Sequence, residues 1–117
     1  MFELMVEDTF DAAHALRGYE GPCENLHGHT WRIQLFLGGT KLNKLGLLED
    51  FKVIKKGLAA ALDQFDHKYI NETAPFDKIN PTSENLAKYL FEMLKKRFKN
   101  INKIIVWESE RTYAAYY

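Results

Sequence analysis

A chain of 117 residues, 46% hydrophobic and 27% charged, fits one domain over residues 1–117 with a core of its own. Its 16 basic and 16 acidic side chains cancel, which argues against a surface built to coat nucleic acid or an anionic membrane. One cysteine forbids an internal disulfide, the acidic N-terminal "MFELMVEDTF" lacks the basic and apolar regions of a signal peptide, and no apolar run reaches the ~18–20 residues of a membrane span, so a cytoplasmic setting is expected.

The first element is a strand over residues 2–12, with Phe2, Leu4 and Val6 on one face. "RGYEGPCENL", residues 17–26, carries two glycines and a proline and reads as a loop. Residues 27–38 form a second strand, with Trp31, Ile33, Leu35 and Leu37 sharing a face and Gly38-Gly39 at its end. The period then changes. Phe51, Ile54, Leu58, Ala61, Leu62 and Phe65 recur at steps of three and four, the apolar stripe of a helix that Asp50 can cap. After the irregular "DHKYINETAPFDKINP", the stretch Pro81-Thr82-Ser83-Glu84 starts a second helix, striped by Leu86, Leu90, Met93, Leu94 and Phe98. "INKIIVWES" and "RTYAAYY" complete the chain as strands. The order ββααββ predicts an α+β fold, a four-stranded antiparallel sheet with both helices on one face.

The reactive side chains gather in few places. His27 and His29 are two residues apart on a strand, so they point to one side roughly 6.5–7 Å apart and can converge on one ion. Neutral imidazole suits zinc, and a catalytic zinc site takes three protein ligands with a fourth position open. His14, in "FDAAHAL" at the end of the first strand, is the natural third ligand, because a hairpin brings it beside the second strand. Cys23 lies four residues before His27 among Pro22, Glu24 and Asn25, as a metal ligand, a nucleophile or base, or a surface thiol. Asp66 precedes His67, and in a loop a carboxylate can orient an imidazole for proton transfer. Glu108 is an acid on the face of Ile104 and Val106, either exposed at a sheet edge or anchoring a group that donates hydrogen bonds; Glu110 shares its parity.

Five stretches in order resemble the 6-pyruvoyltetrahydropterin synthase / 6-carboxytetrahydropterin synthase family: "FDAAH", "CENLHGH", "FDHKYIN", "NPTSENLA" and "VWESE". The resemblance implies a tunnelling fold (T-fold), whose ββααββ subunits join into a trimeric barrel and stack as a homohexamer. It implies zinc on His14, His27 and His29, Cys23 as the proton-abstracting base, and Asp66 with His67 as an acid/base pair. It implies a pterin triphosphate substrate, 7,8-dihydroneopterin triphosphate, whose ring is anchored by Glu108 with Thr82 and Glu84 assisting. The expected activity is synthesis of 6-carboxytetrahydropterin, on the route to 7-deazaguanine bases such as queuosine, with the pyruvoyl product as the first alternative.

Phe65 and Ile70 replace the family's commonest leucines, and Lys68 stands where many relatives have a further histidine, so that position carries no expected role. Glu24 matters more. Relatives that lack the cysteine use a glutamate in E-x-L-H-G-H and cleave the dihydroneopterin side chain towards folate precursors, and this chain has both Cys23 and that pattern from Glu24 to His29. A pterin- or purine-binding protein without turnover would keep Glu108 and the fold but has no need of Cys23, Asp66 and His67 together.

Overall fold

The computed structural model describes residues 1–21 and 25–117. Among these residues the chain forms a five-stranded sheet and two α-helices. The elements are β1 (Phe2–His14), β2 (His27–Gly39), α1 (Phe51–Asp63), β3 (Lys68–Tyr69), α2 (Ser83–Lys95), β4 (Ile101–Trp107) and β5 (Tyr113–Tyr116), with a 3₁₀ turn at Ile70–Glu72. The sheet order is β3-β1-β2-β4-β5. The four long-expected strands pair antiparallel, and β3 adds a two-residue parallel step, Ala12 with Lys68 and Ala13 with Tyr69. Its sequence is too short for a period to show.

β1 and β2 pair without a break from Phe2↔Gly39 to His14↔His27. Two such 13-residue strands reach about 44 Å at ~3.4 Å per residue, which explains a longest dimension of 53 Å. Alternation decides which side chains turn towards the helices. Val6, Phe10, Ala12 and His14 of β1 are buried on the face shared by Trp31, Ile33, Leu35 and Leu37 of β2 and by Ile104 and Val106 of β4. Each large apolar side chain buried there contributes about 1.5–3 kcal/mol.

α1 starts where Asp50 accepts the Lys52 N–H at 2.9 Å and buries Ile54, Leu58, Ala61 and Leu62. Phe65 is buried just beyond it, whereas Phe51, in the first turn, stays exposed. Gly57 is the position where α1 meets Phe98: a Cβ there would lie 2.7 Å from the Phe98 ring, so glycine's cost to the helix is offset by close packing. α2 starts at Thr82, whose Oγ1 accepts the Asn85 N–H at 3.0 Å, and buries Leu86, Ala87, Leu90 and Leu94. Each helix thus sets its stripe on the sheet and leaves its charged face to solvent.

Candidate metal and substrate site

The sheet's register brings His14, His27, His29 and Glu108 to one end. His14 is the last residue of β1 and pairs with His27, the first of β2, while His29 pairs with Ala12. β4 ends at Trp107, opposite Arg32, and Glu108 is the next residue. All four side chains therefore stand on the helix-facing side of one sheet end. Their ligand atoms lie within 4.8 Å of one another. The imidazole centroids of His14 are 4.4 Å from His27 and 5.2 Å from His29, and His27 and His29 are 4.7 Å apart. Trp31 forms the floor, edge-on to His14 at 4.7 Å and to His29 at 5.3 Å, its indole N–H given to the Ala12 carbonyl.

Second contacts aim the rings. His14 Nδ1 is 2.7 Å from the Pro81 carbonyl and His27 Nδ1 is 2.7 Å from the Asn25 carbonyl. A carbonyl only accepts, so each Nδ1 carries the proton and each Nε2 presents a lone pair. Backbone carbonyls in this role are the usual outer partners of metal-bound histidine. Nε2 of His14 and of His29 are buried and make no hydrogen bond among the described residues, although the Glu108 carboxylate lies 3.2 Å from the latter. Buried polar atoms are normally paired, so two such atoms facing one space, beside a third imidazole and a carboxylate, fit a divalent ion with a preference for nitrogen.

Glu108 bridges this group to α2. Its Oε1 is 3.2 Å from His29 Nε2 and 4.0 Å from His14 Nε2, and its Oε2 accepts the Ser83 hydroxyl at 3.0 Å. Glu108 and Ser83, with Glu84 and residues 112–115, line a cleft of about 470 Å³, within the range of small-molecule sites. Thr82 spends its hydroxyl oxygen on the helix cap. Ser83 and the two carbonyls were not singled out in the sequence; Ser83 sits within the quoted Pro-Thr-Ser-Glu stretch, but a carbonyl has no sequence signature. Glu110 is exposed, because the strand gives way to a bend after Trp107.

Asp66 and His67 form a separate cluster with Asp11. His67 Nδ1 is 3.0 Å from Asp66 Oδ1, and the imidazole is 77% exposed. The pair grips the β1 main chain: Asp66 accepts the Asp11 N–H at 3.0 Å and the His67 N–H donates to the Asp11 carbonyl. His67 takes φ +58, a left-handed conformation that presents its side chain at this corner. The Asp11 N–H, aided by His67, holds the Asp66 carboxyl below its ordinary range. Cys23 and Glu24 lie outside the described residues.

Burial pushes the pKa of His14 down against the opposing pull of the Pro81 carbonyl and Glu108, and burial does the same to His29 against Glu108. Both folded values lie below the ordinary 6.5, so as pH falls below that value the unfolded chain takes up protons first. Metal-free protein is therefore expected to lose stability on going from about pH 7.5 to about pH 5.5. Urea midpoints across this window check it, and a flat profile contradicts neutral burial of the two rings.

A five-stranded sheet with two helices on one face and imidazoles converging at one end is the fold of a T-fold protein. The chain belongs to the 6-pyruvoyl tetrahydropterin synthase family, whose model matches residues 3–117. Its fold matches the 6-pyruvoyl tetrahydropterin synthase of Caenorhabditis elegans with a TM-score of 0.90 at 27% identity, covering 98% of this chain and 94% of that one. It is 31% identical to the 6-carboxy-5,6,7,8-tetrahydropterin synthase of Haemophilus influenzae, with 99% of each covered. It is also 32% identical to the dihydroneopterin monophosphate aldolase of Pyrococcus furiosus, covering 86% of this chain and 83% of the relative.

Proposed function

We propose that this protein is a zinc-dependent 6-carboxy-5,6,7,8-tetrahydropterin synthase acting on 7,8-dihydroneopterin triphosphate. The observation that carries the reading is the convergence of His14, His27 and His29, with the Nε2 atoms of His14 and His29 buried and making no hydrogen bond among the described residues, in a chain of this family. Zinc held by these three residues would act as a Lewis acid on the substrate's side-chain hydroxyls. Glu108, which Ser83 hydrogen-bonds, would accept N–H groups from a pterin edge, a charge-assisted contact. Glu84 lies on the same cleft, and Thr82 supports it by fixing the start of α2. Cys23 is the base that the family resemblance implies, a role that requires its thiol to come close enough to a cation to ionise at neutral pH. Asp66 orients His67 as the partner that moves the second proton.

Replacing Cys23 by alanine is expected to lower formation of the carboxy product by about 10²–10⁴-fold, the worth of a positioned base, while zinc content stays near one per chain. Metal analysis and product chromatography on the same samples test both halves, and loss of zinc would move the cysteine into the metal shell.

A second reading is favoured by Glu24 and by the aldolase relative. Glu24 supports slow side-chain cleavage of 7,8-dihydroneopterin. The hydroxymethylpterin should then persist in Cys23→Ala and vanish in Glu24→Ala; its absence from both and from the parent protein removes this reading.

The protein acts as a homo-oligomer, a hexamer built from two trimers. β3 and β5 leave open sheet edges in one chain, and open edges are paired or protected in stable proteins. Light scattering at micromolar concentration is expected to show the assembly, and a monomer contradicts it. No helix among the described residues is long and apolar enough to cross a membrane; a cytoplasmic location is part of the proposal.

A further inference from the structure

Past His14 the β1 main chain continues towards the loop with no strand beside it among the described residues, yet the backbone groups of Ala15 and Arg17 are paired. The Asn71 carboxamide takes both groups of Ala15, Oδ1 accepting the N–H at 2.9 Å and Nδ2 donating to the carbonyl at 2.8 Å. Two residues on, Asn80 does the same to Arg17, with both contacts at 2.9 Å. A carboxamide carries one acceptor and a donor, as a peptide unit does. Two side chains thus extend the ladder that β3 begins at Ala12 and Ala13. The chain between them turns through the 3₁₀ segment and cannot itself run as a strand.

The result is a rigid link to the metal ligand. Asn80 is followed by Pro81, whose carbonyl receives His14 Nδ1–H. The Arg17 guanidinium adds contacts to the carbonyls of Asn71, Phe76 and Ile79 at 2.8–3.2 Å, and Asn85 Nδ2 donates to the Asn80 carbonyl at 2.9 Å. The position of the Pro81 carbonyl relative to His14 is therefore set by the side chains that tie 15–17 to 71–80.

We infer that Asn71 and Asn80 are positioning residues for the metal site: by bridging Ala15 and Arg17 to the segment that ends in Pro81, they hold His14 as the Nδ1–H form with Nε2 open to the ion. If that carbonyl moves away, Glu108 Oε1, 4.0 Å from Nε2, is an acceptor on the opposite side of the ring. The proton then shifts to Nε2 and blocks the ligand position. A residue that merely stabilised the loop would lower the melting point without changing which nitrogen carries the proton.

The inference rests on the metal reading, so the test has one arm that needs no metal. In metal-free protein, long-range proton–nitrogen spectra of the imidazoles should show His14 as the Nδ1–H form. Asn80→Ala and Asn71→Ala should convert part of it to Nε2–H. In the second arm, cobalt(II) titration followed by visible absorption should show affinity falling about 10–100-fold in the same variants, the usual effect of removing an outer partner. Asn80→Asp keeps the acceptor for the Arg17 N–H and loses the donor, so it should fall between. Arg17→Met, at an exposed position, gives the same comparison if Asn71→Ala does not fold. Variants that keep the Nδ1–H form and the parent's cobalt affinity, whatever their melting points, overturn the inference. A parent protein that takes up no cobalt overturns the metal reading, and the tautomer arm then decides the positioning role alone.

Discussion

Replacing His14 by alanine is expected to strip the metal from the protein and to lower turnover at least about a hundredfold, since a Lewis acid is worth several kcal/mol of transition-state stabilisation and each ~1.4 kcal/mol is tenfold. The affinity loss should exceed the roughly 10–100-fold typical of outer partners, because His14 supplies one of three converging nitrogens. It is also the most buried of the three, at 1% exposure, so water cannot readily replace it. The variant loses the buried Nδ1–H bond to the Pro81 carbonyl and the ring's packing on Trp31, so its melting point should fall, while the apolar core that defines the fold is untouched. Metal analysis after dialysis, with circular dichroism as the folding control, checks this. A His14→Ala protein that keeps one metal per chain would move the site elsewhere.

The second large effect concerns Glu108. Its oxygens face two ways, Oε1 to the imidazoles and Oε2 to Ser83, so two roles compete for it. As the pterin anchor, Glu108→Gln replaces a charged acceptor with an amide that both accepts and donates. A charge-assisted hydrogen bond contributes about 1.5–3 kcal/mol, so KM should rise about 10–100-fold. Zinc content should stay near one per chain. As a fourth metal ligand, the same change would lower zinc content first. Ser83→Ala separates the roles further. It frees one oxygen of Glu108 without touching a histidine, so it should raise KM by a few-fold and leave zinc unchanged. Zinc loss in Glu108→Gln with an unaltered KM of the remaining loaded fraction would contradict the anchor.

How the site could be read from sequence follows from what strand alternation encodes. His27 and His29 share a face by spacing alone, and Trp31, Ile33, Leu35 and Leu37 place that face against the core. His14 required a hairpin whose register nothing local fixes. The unbroken pairing from Phe2↔Gly39 to His14↔His27 is set by two matched apolar faces acting together. Glu108 was legible as an acid on the face of Ile104 and Val106, but its separation from Glu110 was not, because the strand's end at Trp107 depends on the turn back into β5. β3 and the asparagine bridges were illegible for a related reason. Lys68–Tyr69 is too short to show a period, and Asn71 and Asn80 look like ordinary turn residues until the chain folds back on Ala15 and Arg17. Asp66 and His67 were legible as a neighbouring acid and imidazole, but their hold on the Asp11 main chain was not, because it depends on the chain folding back beside β1.

The proposed activity is metal-dependent conversion of a pterin triphosphate. The most direct measurement is chromatographic identification of the product formed from 7,8-dihydroneopterin triphosphate by protein loaded with one zinc per chain, beside the same protein after chelation. The expected result is 6-carboxytetrahydropterin from the loaded sample, none from the chelated one, and recovery when zinc is restored. No pterin product from the loaded protein, or equal yields with and without zinc, would contradict it.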